Sequence, residues 1–185
     1  MKKEIFQEVE IPEDVEVNVE KNRVIIKGPE GENKREFNLD NFSMKKEGNK
    51  IVIGNKKSTK NEKKLINTTA SHLRNMIKGV QEKFEYNLLV CYSHFPISVE
   101  IKGNEATVKN FLGEKISRKV KLPEGIEIEV GKDSDKKIPI TIKSVNRESA
   151  GQAAANLERS TRISLRDRRV FQDGIFITNK AGREL

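Results

Sequence analysis

The chain of 185 residues has one cysteine, no tryptophan, two tyrosines, two histidines and five prolines. With Cys91 alone, no internal disulfide can form, which suits a reducing compartment. Cys91, His72 and His94 together fall short of a tetrahedral zinc site. Long apolar runs are also missing. No window approaches a membrane span, and Met1-Lys2-Lys3-Glu4-Ile5-Phe6 leads into acidic, strand-like sequence without the apolar stretch of a signal peptide. The expectation is a cytosolic chain with no membrane partner. Asn67-Thr68-Thr69 matches a glycosylation acceptor, but on a predicted helix of a cytosolic chain it is a chance match. No Gly-rich phosphate loop or nucleophile elbow is present. Cys91 and His94 lie close in sequence, yet no third group stands out to orient them, so Cys91 is read as a strand residue and neither catalysis nor a cofactor is assigned.

Charge is what the chain has in abundance. Charged residues make up 35% of it, the net charge is +8, the pI is about 9.5 and the mean hydropathy is −0.68. So polar a composition borders on disorder, but the apolar residues recur in regular patterns and predict a folded chain. The core rests on Ile, Val and Leu, with eight Phe, and each domain's share is thin.

The patterns occur twice. Val15, Val17 and Val19 alternate with polar residues, turn at Lys21-Asn22, and continue through Val24 and Ile26 into Gly28-Pro29-Glu30-Gly31. In the second half Val99 and Ile101 precede a turn at Gly103-Asn104, followed by Ala106, Val108 and Lys109-Asn110-Phe111-Leu112-Gly113. Further strands are expected at Ile51–Ile53, Ile126–Val130 and Ile138–Ile142. A competing echo at another offset sets Ile11-Pro12-Glu13 against Leu122-Pro123-Glu124, each followed by alternating apolar residues. Shared turn chemistry accounts for it, because Pro fixes the corner and alternation restarts afterwards.

Each half closes with a helix. Thr59 with Glu62 forms a capping box, after which Leu65, Ile66, Thr69, Leu73, Met76, Ile77 and Val80 mark one face, with Gly79 near its end. The second helix starts near Asn146 and carries Ala150, Ala153, Ala154 and Leu157, small enough to lie close to a sheet. The fold class is therefore α+β: two tandem, similar small domains, each an antiparallel-rich β-sheet packed with one main helix, spanning 1–82 and 83–185.

Positive charge changes in kind along the chain. The net charge is +3 up to Tyr92 and +5 from Ser93 onward. Arg147, Arg159, Arg162, Arg166, Arg168, Arg169 and Arg183 are seven of eleven arginines and fall in the last forty residues, whereas Lys dominates the first half. The planar Arg fork suits phosphate and base edges, while Lys is a hydrated point charge. The runs Lys45-Lys46, Lys56-Lys57 and Lys63-Lys64 are interspersed with acids and read as solvated faces. Between Arg162 and Arg169 only Asp167 offsets the charge, and nucleic acid is the partner that this fits.

Four segments in order along the chain carry a family resemblance: Ser71-His72-Leu73-Arg74-Asn75-Met76-Ile77-Lys78-Gly79-Val80, Tyr92-Ser93-His94-Phe95-Pro96-Ile97, Val108-Lys109-Asn110-Phe111-Leu112-Gly113-Glu114-Lys115 and Asp167-Arg168-Arg169-Val170-Phe171-Gln172-Asp173-Gly174-Ile175-Phe176. They resemble the sixth protein of the large ribosomal subunit in its archaeal and eukaryotic branch. The Lys-Gly-Lys-Gly type tail of bacterial members is replaced here by Arg166 to Ile175. The resemblance implies two similar α/β domains and a non-enzymatic ribosomal constituent in the cytoplasm. It implies binding to large-subunit rRNA, mainly through the C-terminal domain, near the sarcin-ricin region, with neighbouring ribosomal proteins and translation factors close by.

On that reading Arg147 at the helix start and Lys109, Asn110 and Lys115 on the Asn-Phe-Leu-Gly loop meet phosphates. Helix amides near Asn146 add an anion site, and Gln152 reaches sugar or base edges. Arg159 stands at the far end of the helix, and Arg162, Arg166, Arg168 and Arg169 are the strongest contributors. Folded RNA is read through backbone shape and 2′-hydroxyls, which suits contacts scattered over loops and a helix end. The alternative is a free-standing RNA-binding regulatory protein. A protein-binding adaptor ranks below it and a hydrolase through Cys91 and His94 last.

Overall fold

The computed structural model describes residues 3–20, 22–39 and 42–185, so that Met1 and Lys2 of the lead-in and Lys21 of the expected first turn lie outside the described residues. The chain divides into two compact units, Met1–Lys83 and Phe84–Leu185.

In the N-terminal unit, strands β1 (Lys3–Glu10), β2 (Glu16–Glu20), β3 (Arg23–Gly28), β4 (Gly31–Glu36), β5 (Ser43–Glu47) and β6 (Lys50–Ser58) precede helix α1 (Lys60–Gln81). They form two antiparallel sheets, β2-β3-β4 and β1-β6-β5, and α1 packs on both. Strand alternation explains the core: Val17 pairs with Ile26 and Val9 with Ile51, all four buried, while their neighbours face outward. Helix α1 adds Ile66, Leu73, Met76, Ile77 and Val80. Its start is capped as the sequence predicts, with the Glu62 carboxylate accepting from both the Thr59 N–H and its hydroxyl. Leu65 was expected on the buried face and is instead 46% exposed, because the stripe begins one residue later at Ile66.

The C-terminal unit repeats this order. Strands β7 (Phe84–Cys91), β8 (Ser98–Lys102), β9 (Glu105–Lys109), β10 (Arg118–Lys121), β11 (Glu127–Val130) and β12 (Lys137–Ser144) lead to α2 (Arg147–Ser160), and β13 (Gly174–Lys180) and β14 (Arg183–Glu184) follow. One sheet is β10-β9-β8 and the other β11-β12-β7-β13-β14. β6 lies between β1 and β5 as β12 lies between β7 and β11, so the duplication follows the first echo. Ile11-Pro12-Glu13 precedes β2 whereas Leu122-Pro123-Glu124 precedes β11, the counterpart of β5, which makes the competing echo one of turn chemistry alone. Ala150, Ala153, Ala154 and Leu157 are fully buried against the five-stranded sheet and β10, as their small size predicts.

Candidate nucleic-acid interface

Two irregular segments of the C-terminal unit carry most of the expected contact residues. The first follows β9. Asn110 (φ 58°), Leu112 (φ 51°) and Gly113 (φ 75°) all adopt left-handed backbone, which Asn tolerates and which is costly for Leu. The surroundings hold them there. Phe111 is buried, Asn110 Nδ2 donates to the Pro96 carbonyl at 3.0 Å, and the Glu114 N–H returns to the Phe111 carbonyl at 3.0 Å. The positive φ of Gly113 favours glycine, and a Cβ there would also approach the Phe95 ring to 3.2 Å. The result is a rigid loop that presents Lys115, which is exposed and has no partner among the described residues. Asn110, expected to meet phosphate, spends its amide on holding this loop. Lys109 pairs with Glu100 on the adjacent strand.

The second segment runs from the end of α2 to β13. Its twelve residues, 162–173, contain no strand or helix, and Arg162, Arg166, Arg168 and Arg169 are all exposed. Asp167 organises the turn: its carbonyl accepts from the Val170 and Phe171 N–H groups at 3.2 and 3.0 Å, and its carboxylate accepts from the Arg169 N–H at 2.9 Å. The same carboxylate pairs with the Arg169 guanidinium at 2.8 Å. The side-chain and backbone hydrogen bonds from Arg169 hold the Asp167 carboxyl below its usual range. Arg166 lies over the Phe171 ring, 4.9 Å from its centroid. Leu165 and Val170 are left in solvent, at 105% and 73% exposure, as an apolar component of the same surface.

Arg162, Arg168 and Phe171 of this segment line a groove of about 710 Å³ together with Arg159, Phe176 and the acids Glu158 and Asp173. None of the three arginine side chains has a partner among the described residues. The groove floor is fixed by Thr161, whose buried hydroxyl accepts from the Ile175 N–H at 2.9 Å, and by Glu158, which accepts from the Ile177 N–H at 3.1 Å. Cations at this end of α2 also complement the helix dipole.

Sequence reasoning missed Arg118, which ties the two segments together. Its Nη1 donates to the Ser160 carbonyl at 2.7 Å, its Nε to Glu114 at 2.8 Å, and its Cζ lies 4.4 Å from the Phe111 ring centroid. The hydrogen bond from Arg118 lowers the Glu114 pKa, and the charges of Arg118 and Arg166 lower it further. Arg118 opens the short β10 beside Lys119 and Lys121, and only its spacing of four from Glu114 hints at a clamp.

Asn146, Arg147 and Gln152 do not join this cluster. Asn146 and Arg147 stand at the other end of the fourteen-residue α2, about 20 Å away at a rise of about 1.5 Å per residue. The Asn146 side chain caps the helix by accepting from Glu148 N–H at 2.9 Å, which uses one of the amides expected to hold an anion. Arg147 extends over Phe84 at 5.8 Å, and Gln152 donates to Asn156, which in turn donates to the Lys121 carbonyl. Cys91 ends β7 as a free thiol, and His94 stacks edge-on against Phe95. Among the described residues no group of His, Cys, Asp and Glu is arranged to hold a metal.

A duplicated α+β scaffold that displays arginine, aromatic and apolar side chains on irregular backbone has the build of a macromolecule-binding protein. The family described as Ribosomal protein L6 matches residues 11–83 and 95–174, one stretch in each unit. The chain is 41% identical over 181 residues to the large ribosomal subunit protein uL6 of Methanococcus vannielii, covering 98% of this chain and 97% of that protein. It is 40% identical over 176 residues to the protein of the same name from Methanobrevibacter smithii, covering 95% and 96%. The chain belongs to the ribosomal protein L6 family, in its archaeal branch, and is not an enzyme.

Proposed function

We propose that the chain is a structural constituent of the large ribosomal subunit in the cytoplasm. In this reading it binds large-subunit rRNA mainly through its C-terminal domain, 83–185, near the sarcin-ricin region where translation factors dock. Neighbouring ribosomal proteins are its other partners, and the N-terminal domain is 1–82. The names of its relatives support the assembly. The observation that carries the RNA reading is the convergence of Arg159, Arg162 and Arg168 on one groove with Phe171 and Phe176.

Arginine forks neutralise phosphates and release their counterions, the aromatic rings offer faces on which unpaired bases stack, and the rigid 110–115 loop adds Lys115. The test is sedimentation of a cell extract through sucrose at low and at raised monovalent salt. Comigration with the large subunit that survives moderate salt is expected. Recovery only in the light fractions would overturn the proposal and favour a free RNA-binding regulator.

A further inference from the structure

The duplication leaves one position filled in one unit and open in the other. In the C-terminal unit the edge of β7 away from β12 is covered by β13, antiparallel from Gly174 opposite Cys91 to Lys180 opposite Tyr86. β1 is the counterpart of β7, and among the described residues no strand pairs with its edge away from β6. A groove of about 430 Å³ runs there between β1 and the last turns of α1, lined by Glu8, Val9, Glu10, Arg74, Ile77, Lys78 and Gln81.

An unpaired edge offers a row of backbone donors and acceptors, and proteins commonly blunt such edges to prevent pairing. β1 contains no proline, and its one irregularity lies at its start, between Lys3 and Ile5. Val9 is buried, with Ile5 and Gln7 half-buried on the same face, while Glu4, Phe6, Glu8 and Glu10 are exposed on the other. Phe6 is kept 44% exposed over Gly54, where a Cβ would collide with its ring. The edge is thus acidic on one face around an aromatic ring, while on the other Val9 and Ile77 share a groove with Arg74, Lys78 and Gln81.

That pattern argues against a second copy of this chain. Antiparallel pairing sets same-face residues opposite each other, so centring two β1 strands on Phe6, Gln7 or Glu8 brings Glu4 to Glu8, Glu4 to Glu10, or Glu8 to Glu8. We propose that the open edge of β1 accepts an added strand from another protein. The segment is extended and antiparallel, with Lys or Arg on the face of Glu4 and Glu10, where Glu8 is already paired with Lys50 at 2.9 Å, and apolar residues on the face of Val9 and Ile77. β13 occupies the equivalent place in the other unit, so the chain itself supplies the geometry of the join. The inference is independent of the RNA reading.

The probe is a synthetic seven-residue peptide, Lys-Ile-Lys-Phe-Lys-Ile-Lys, added to the full chain and followed by amide shifts and hydrogen exchange. Binding should slow exchange of the β1 amides that do not bond β6 by about tenfold. The same peptide N-methylated at alternate residues should not bind. The variant E4K/E10K, altered only at exposed positions, should instead prefer the peptide with Glu in place of Lys. Equal binding of the N-methylated peptide, perturbations elsewhere than β1 and the end of α1, or a β1-paired dimer of the free chain would each overturn the proposal.

Discussion

Divided at Lys83, the two units carry equal formal charge, with 18 basic and 14 acidic residues each, yet their cations are placed quite differently. In the N-terminal unit they are mostly lysines on strands and on α1, and acids stand beside several of them: Lys27 pairs across strands with Glu32, Lys34 reaches the same Glu32 along β4, and Lys50 meets Glu8 from the adjacent strand. In the C-terminal unit arginines are concentrated on a segment without strand neighbours, where Asp167 neutralises only one of them. Net charge therefore does not distinguish the two units, whereas exposed arginines on irregular backbone do, and the proposed interface rests on them. The largest expected effect tests this contrast. Replacing Arg159, Arg162, Arg166 and Arg168 with Gln should lower the slope of log affinity against log salt for rRNA fragments by about 3, at about 0.7 to 0.9 per phosphate contact. Replacing Lys56, Lys57, Lys63 and Lys64 with Gln should change it by less than about 1. Equal slopes for the two variants would erase the distinction between the units.

The helices differ as the charges do. α1 buries Leu73, Met76 and Ile77, whereas α2 buries three alanines and Leu157, so the first fills its interface with side-chain volume and the second by close approach. Opposite substitutions should therefore hurt each. Leu73→Ala opens a cavity under α1 and should cost about 2 to 5 kcal/mol. Ala154→Leu overfills the space under α2 and should cost about 1 to 3 kcal/mol. Urea unfolding measures both, and tolerance of Ala154→Leu would mean that α2 is not packed as closely as its small face implies.

The apolar positions made this architecture legible, because strands with alternating Val and Ile and helices with a continuous stripe announce their buried face. β4 and β10, with the sequences Gly-Glu-Asn-Lys-Arg-Glu and Arg-Lys-Val-Lys, went unread since each offers at most one apolar side chain and owes its pairing to β3 and β9. β13 went unread because the Arg-rich segment before it dominates the local composition. For the candidate interface, residue type identified the arginines, but partnership was invisible. Nothing in the order of residues says that Asn110 holds a loop, that Asn146 caps its own helix or that Arg169 is drawn to Asp167, since each depends on backbone geometry set by the fold.

Arg118 sharpens the comparison from within the C-terminal unit, because it is a cation whose work is structural. Arg118→Met keeps an apolar stem over Phe111 and removes the link to Glu114 and the Ser160 carbonyl. With its side chain 30% exposed, the loss should be about 1 to 2 kcal/mol. RNA affinity should fall several-fold through misplacement of Lys115 and Arg162, with the salt slope unchanged. A change of slope as large as that for an interface arginine would make Arg118 a phosphate contact instead.

The smallest effect concerns Asp167, the one acid between Arg162 and Arg169. Its pKa is lowered by the hydrogen bonds from Arg169, so the pair is intact above the ordinary carboxylate range near about 3.9 and is lost only as pH falls through the lowered value. At neutral pH Arg169 is therefore held back from a ligand, and charge neutralisation at residue 167 should release it. Asp167→Asn removes the charge but leaves an oxygen able to accept from the Arg169 N–H, so the turn that displays Arg168 survives. This variant should raise RNA affinity by no more than about threefold and steepen the salt slope by up to about 0.9. Asp167→Ala frees Arg169 as well but removes the side-chain acceptor for the Arg169 N–H, leaving the turn to its backbone bonds alone, and should bind no better than the parent. If both variants bound alike, the turn would be irrelevant and only the charge of Asp167 would matter.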